Sequence, residues 1–348
     1  MMQSDDRLGV RALITGTGRY VPDGVWTSDM VEARVEQCSG GQSLPKGIVC
    51  RASGVAERRY AASEENSSDL AARAAERALA SAGIEARDVD LLIFASASQD
   101  FAEPATANVL QMLLGCREAA VMDVKNACNS FLNGLDVAQA FIETGRAQRV
   151  VVAAGECLSP FIKWDIGGAD GADDMRLRVA ALTLGDAGAA CVVEASAEAE
   201  RGLLRGAFES DGRHWELSTV LGGGSRYAGE PGTEFVLCHS QALQELAVSR
   251  VPTLVSDLLM KLDWTLDDIA LVVPHQVSRS VIKRLASQSG YPIDRCAVTL
   301  DRFGNTAAAS IPLALDIAIE EKRVAIGDKV LLVGGAAGFS AAAIPLIL

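Results

Sequence analysis

The chain has 348 residues, 49% of them apolar and 22% charged, with a formal net charge of −13. This is more apolar material than one small domain needs and suits two halves of ordinary size, while the acidity argues against a nucleic-acid binder, which must offer positive charge to phosphate. Eight cysteines occur without a CxxC pair, and three histidines without a Cys/His pair at chelating spacing, which argues against a disulfide framework and against a metal site.

The first ten residues, MMQSDDRLGV, lack a basic stretch followed by an apolar core, so a cytoplasmic protein with reduced thiols is expected. GTGRYVP (Gly16 to Pro22) has two glycines of a dinucleotide loop, but Val21 stands where the third is required, and no dinucleotide site is expected. A helix over Asp69 to Ser81 leads through an acidic turn into a continuous apolar strand, Leu91 to Ala95. The following loop, DFAEPATAN, carries Glu103, which by default is a solvated carboxylate. AAVMDV (residues 119–124) reads as a short buried strand, and Phe131, Leu132, Leu135, Val137, Ala138, Phe141 and Ile142 then repeat at helical spacing.

Cys128 therefore falls where a strand stops and a helix begins. Backbone N–H groups and the helix dipole at a first turn stabilise a thiolate, and the same groups could hold an oxyanion. From position alone, a packed and inert thiol fits equally well. Beyond the strand Val150 to Ala154, the segment from Glu156 to Ala180, with its GGADGADD run, reads as a long loop or lid, too acidic and glycine-rich for core. The strand AACVVEA closes this half. The boundary falls between Ser196 and Leu203, giving an N-terminal half of 1–199 and a C-terminal half of 200–348.

The second half repeats the first at an offset of 180: Asp88-Val-Asp-Leu-Leu-Ile-Phe aligns with Asp268-Ile-Ala-Leu-Val-Val-Pro, Leu135-Asp-Val-Ala with Leu315-Asp-Ile-Ala, and Val150-Val-Val-Ala-Ala-Gly with Val330-Leu-Leu-Val-Gly-Gly. A helix from about Gln241 to Leu262 and strands at Leu271 to Pro274 and Val330 to Val333 complete the second copy. Continuous apolar strands alternating with helices predict an α/β protein with sheets buried on both faces. Functional groups in such sheets gather beyond the strand C-termini. Cys128 lies there in copy one, and His275 (PHQVSRS) and Asn305 (RFGNTAAAS) in copy two. The uncharged C-terminus from Val330 reads as two buried strands around a glycine turn rather than a membrane span.

DVKNAC around Cys128, PHQ around His275, DRFGNTAAASIPLAL around Asn305, TLGDAGAA (Thr183 to Ala190) and the C-terminal GGAAGFS together resemble the signatures of the thiolase superfamily, in its β-ketoacyl-ACP synthase III branch, over nearly the whole chain. The resemblance implies the thiolase fold, a duplicated five-layered αβαβα arrangement with pseudo-twofold related halves. It also implies a homodimer, with no cofactor beyond the coenzyme A or phosphopantetheine that enters on the substrate. By the same resemblance, Cys128 takes an acyl group from a thioester, and His275 and Asn305 stabilise the enolate of a second one. The backbone N–H of Cys128 and one from the Ala337/Gly338 turn form the oxyanion hole, and Arg51 and Arg279 bind substrate.

Two features depart from the housekeeping starter enzymes: Gly47 stands where a tryptophan stacks on the coenzyme A adenine, and Glu103-Pro104 where an aromatic precedes the proline. Both resemble the branch that joins two finished acyl chains, the head-to-head enzyme of olefin biosynthesis and the α-pyrone-forming ketosynthases. There a glutamate from across the dimer deprotonates the α-carbon. The leading expectation is non-decarboxylative Claisen condensation of two acyl thioesters carried on coenzyme A or a carrier protein. The alternatives are decarboxylative condensation with malonyl-ACP, acyl transfer to a hydroxyl or amine, a non-catalytic partner subunit, and a small-molecule binding module.

Overall fold

The computed structural model describes residues 10–166, 171–198 and 200–348. Two mixed sheets are laid out on one plan. In the first, the spatial order is Arg11–Tyr20, Ala187–Ser196, Arg149–Glu156, Leu91–Phe94, Ala120–Asp123. In the second, Gly202–Leu203 and Ala207–Ser210 pair with Ser340–Ile347, which is followed by Lys329–Ala336 and Ile269–Pro274. Each order is first strand, last, fourth, second. The third strand completes the first sheet, whereas in the second only a parallel bridge between Val272 and Cys296 remains. The central parallel pairs share one register at the offset of 180: Leu91 faces Val150, and Leu271 faces Val330.

Three cores account for five layers. Phe131, Leu132 and Leu135 of the helix Ser130–Glu143 pack with Ile311, Leu313 and Leu315 of the helix Ser310–Glu320, filling the space between the two sheets. The helix Ser67–Ala82, beside Thr106–Leu114, covers the outer face of the first sheet, and Ser240–Leu262, beside Arg279–Ser289, that of the second. The GTG stretch serves this layering: a Cβ on Gly16 would run into the Ala78 carbonyl of the covering helix. The C-terminal apolar run forms the antiparallel pair Lys329–Ala336 and Ser340–Ile347. Among the described residues, no helix is long and apolar enough to cross a membrane.

Three expectations need correction or qualification. The strand Ala120–Asp123 is not buried: it is the sheet edge, with Ala120 and Asp123 exposed, because among the described residues no strand lies beyond it. Nor is the 156–180 segment all loop. Ile162 and Ile166 are buried, Trp164 packs on Trp26 with ring centroids 5.8 Å apart, and Gly171–Arg178 is helical. Its apolar half turns inward because FIKWDI supplies four apolar side chains worth burying. The expected boundary at residue 199, and residues 167–170 of the GGADGADD run, lie outside the described residues.

Candidate active site

Cys128 sits on a tight turn. Ala127 adopts a positive φ of 47°, Asn129 caps the helix that begins at Ser130, and the Ser130 hydroxyl accepts from the Asn126 N–H (2.8 Å) while donating to the Ala127 carbonyl (2.7 Å). The buried Asn129 amide reaches across to the second half, donating to the Ser340 carbonyl (3.1 Å) and hydroxyl (2.9 Å). Gly334 leaves room for it, since a Cβ there would collide with Asn129 Oδ1. This latch ties the Ala337 turn to the Cys128 turn, and the N–H groups of Ala337 and of Cys128 itself both act on the thiol.

Those N–H groups lower the thiol pKa as the sequence predicts, but they do not win. Burial, with a smaller contribution from the charge of Glu156, pushes Cys128 up to about 12. At rest the residue is a thiol rather than a thiolate, because the desolvation cost of a buried anion exceeds what two N–H dipoles return.

One cavity of about 200 Å³ brings Cys128, His275, Asn305 and Ala337 together. His275 follows its strand directly, held by its N–H to the Val333 carbonyl (2.8 Å), with Nδ1 2.7 Å from the Ser310 hydroxyl. Burial lowers its pKa to about 4, so the imidazole is neutral near pH 7. Asn305 is clamped by the TLGDAG stretch: its N–H donates to the Thr183 carbonyl (2.9 Å) and its carbonyl accepts from Gly185 (3.0 Å). Its Oδ1 accepts from the Ala307 N–H (3.0 Å), which leaves the amide NH2 to face the cavity.

Two further residues organise the site, and the sequence alone assigns neither a role, although Ser310 lies inside the DRFGNTAAASIPLAL stretch. Ser310 is one. The other is Glu156, fully buried, whose carboxylate accepts from Ala97 N–H (2.7 Å) and Ser98 N–H (3.0 Å) of the first half and Ala308 N–H (3.1 Å) of the second. Burial pushes its pKa up to about 7 despite those donors. The one signal available in sequence is an ionisable residue closing a strand that is otherwise apolar from Val150 to Gly155.

The remaining predicted site residues are less central. Gly338 shapes the turn with a φ of 71°, while Ala337 is the residue that lines the cavity. Arg51 belongs to the helix Ile48–Ser53, whose Val49, Ala52 and Ser53 line the cavity, but its own side chain turns outward to the Lys46 carbonyl. Arg279 lies against Gly54 and 3.9 Å from Asp301, outside the cavity lining. Gly47 caps that same helix in the left-handed region, φ 71°, and donates its N–H to Glu32 (2.6 Å). Glu103 is exposed and is not brought to the cavity of its own chain. The helix after its loop is fastened to the edge strand by Asp123, which accepts from the N–H groups of Thr106 and Ala107, both at 2.8 Å.

A duplicated α/β chain that offers a thiol from one copy to an imidazole and an amide from the other is organised as a thiolase-fold ketosynthase. Family models agree: 3-oxoacyl-[acyl-carrier-protein] synthase III matches residues 122–212, its C-terminal model residues 259–347, and the thiolase N-terminal domain residues 51–163. A β-ketoacyl-[acyl-carrier-protein] synthase III from Roseiflexus castenholzii is 35% identical over 334 residues, covering 94% of this chain and 96% of the relative. The chain belongs to the β-ketoacyl-[acyl-carrier-protein] synthase III family of the thiolase superfamily. The crystal structure of the Thermus thermophilus synthase III superimposes with a TM-score of 0.84 at 31% identity, over 96% of this chain and 98% of that one. OleA from Xanthomonas campestris shares the fold, with a TM-score of 0.89 at 23% identity over 100% of both chains.

Proposed function

We propose that this condensing enzyme joins two acyl thioesters, without decarboxylation, through an acyl-Cys128 intermediate. The observation that supports an acyl-Cys128 condensation is the cavity holding Cys128, His275, Asn305 and Ala337, and Glu103-Pro104 in place of an aromatic before the proline favours the route without decarboxylation. Cys128 Sγ attacks the first thioester carbonyl, a C–S bond forms to the enzyme, and the carrier thiol departs with the proton. The second thioester then loses an α-proton. Its enolate oxygen is held by the Asn305 amide and by His275, which is neutral and can act as a donor. The enolate carbon attacks acyl-Cys128, the oxyanion forms against the N–H groups of Cys128 and Ala337, and the thiolate is expelled. No cofactor takes part, since the carrier thiol arrives with each substrate.

The α-proton needs a base, and Glu103 of a partner subunit is our candidate. Support comes from the open edge strand Ala120–Asp123 and from two exposed apolar side chains, Phe101 (55%) in the loop of Glu103 and Met112 (70%) on the helix that packs on that strand. An unpaired edge beside apolar side chains is the kind of surface a homodimer covers. We assign Arg51 and Arg279 to the approach of the carrier's phosphates. A second reading, decarboxylative condensation with a malonyl extender on an acyl carrier protein, is favoured by the names of the relatives at 35% and 36% identity.

Glu103→Gln separates the two readings. With two simple acyl thioesters the variant should accumulate acyl-Cys128 and make no product. With a malonyl extender, whose decarboxylation makes the carbanion without a base, any activity should persist. Undiminished condensation of simple thioesters would return the lead to the decarboxylative reading.

A further inference from the structure

The histidine of this site has a protein partner that the duplication itself explains. Ser130 and Ser310 stand 180 positions apart, each opening a central helix. In copy one the Ser130 hydroxyl is fully used, accepting from Asn126 N–H and donating to the Ala127 carbonyl. In copy two the equivalent hydroxyl has been released from that turn and lies 2.7 Å from His275 Nδ1. Both residues are buried, Ser310 completely.

The direction of this hydrogen bond follows from satisfaction. If Nδ1 carried the ring proton and donated to Ser310, the hydroxyl hydrogen would need an acceptor of its own. Among the described residues, no second partner for the Ser310 hydroxyl is found. A buried donor left unpaired is rare. If Ser310 donates to Nδ1, every hydrogen is placed and the ring proton must sit on Nε2.

We infer that Ser310 is a positioning residue: its hydroxyl donates to His275 Nδ1 and locks the imidazole as the Nε2–H tautomer, which presents a hydrogen-bond donor, and no base, to the cavity. The tautomer depends on the geometry alone. Its consequence for the condensation step rests on the function proposed above.

The test is the tautomer of His275 in the free enzyme, read by long-range 1H–15N correlation on 15N-histidine-labelled protein. Only three histidines are present, so a His275→Gln variant assigns the signal. We expect a protonated Nε2 and an unprotonated, hydrogen-bonded Nδ1, with that pattern kept in Ser310→Thr. In Ser310→Ala the Nδ1–H form should appear, Cys128 acylation should be little changed, and condensation should fall roughly tenfold, the rate equivalent of one lost hydrogen bond. A wild-type ring protonated on Nδ1, or a tautomer unmoved in Ser310→Ala, would overturn the assignment. Should Ser310→Ala not fold, the wild-type and Ser310→Thr spectra decide it. A correct tautomer with no condensation activity in any variant would count against the proposed function and leave this assignment standing.

Discussion

Ala127 and Ala307 stand 180 positions apart and share one uncommon backbone conformation, with φ of 47° and 41°. Each makes the turn into a central helix, and each is followed by a residue whose N–H points out of the helix start. In copy one that residue is Cys128. In copy two it is Ala308, whose N–H is taken by the carboxylate of Glu156 (3.1 Å). The two halves have kept the same turn: in one its N–H faces the Cys128 thiol, in the other it is stoppered by the protein's own carboxylate.

Cys128→Ala should leave the fold intact and abolish acyl transfer. Intact-mass measurement after incubation with acyl thioesters should reveal an adduct on the wild type and none on the variant, with turnover reduced on the order of 10⁴-fold or more. An adduct that survives the substitution would move the nucleophile elsewhere.

Asn305→Ala should split the two half-reactions. In the proposed mechanism its amide holds the enolate and takes no part in the first acyl transfer, so acyl-Cys128 should form at close to the normal rate while condensation falls by about 10²–10³-fold, the usual loss for one oxyanion donor. Rapid-quench measurement of the two steps checks this. Collapse of acylation with normal condensation of pre-acylated enzyme would reverse the assignment.

Glu156→Gln should make Cys128 more reactive. The Glu156 charge raises the thiol pKa, so a neutral replacement lowers it, and alkylation by iodoacetamide at pH 8 to 9 should speed up several-fold. Stability follows the same group. Its folded pKa, about 7, lies above its ordinary 4.5, so its contribution is fully present below 4.5 and lost as pH rises through 7. Calorimetry should find wild type losing ground to Glu156→Gln over that interval, and a constant difference across it would contradict the raised pKa.

Much of the fold was legible in the chain because the repeat holds in apolar strands, whose pattern survives divergence. The offset that aligned Val150 with Val330 also set the pairing of Leu91 with Val150 and Leu271 with Val330. Cys128, His275 and Asn305 were legible through the local motifs around them. The roles of Ser310, Asn129 and Glu156 were not, although Ser310 lies inside the asparagine motif, because single polar residues have no periodicity and their partners lie 35, 211 and 152 positions away. The exposed edge of Ala120–Asp123 was misread as buried, since four mostly apolar residues look alike at the centre and the rim of a sheet.

The most direct test follows carbon. Purified enzyme is given two saturated acyl thioesters and no malonyl compound, and separately one acyl thioester with a malonyl thioester labelled at its free carboxylate, with products and released CO2 measured by mass spectrometry. The account predicts that the first mixture yields a β-keto product containing every carbon of both acyl chains, with no CO2 released in the condensation itself. Product only in the second mixture, with one labelled CO2 released for each bond formed, would contradict it.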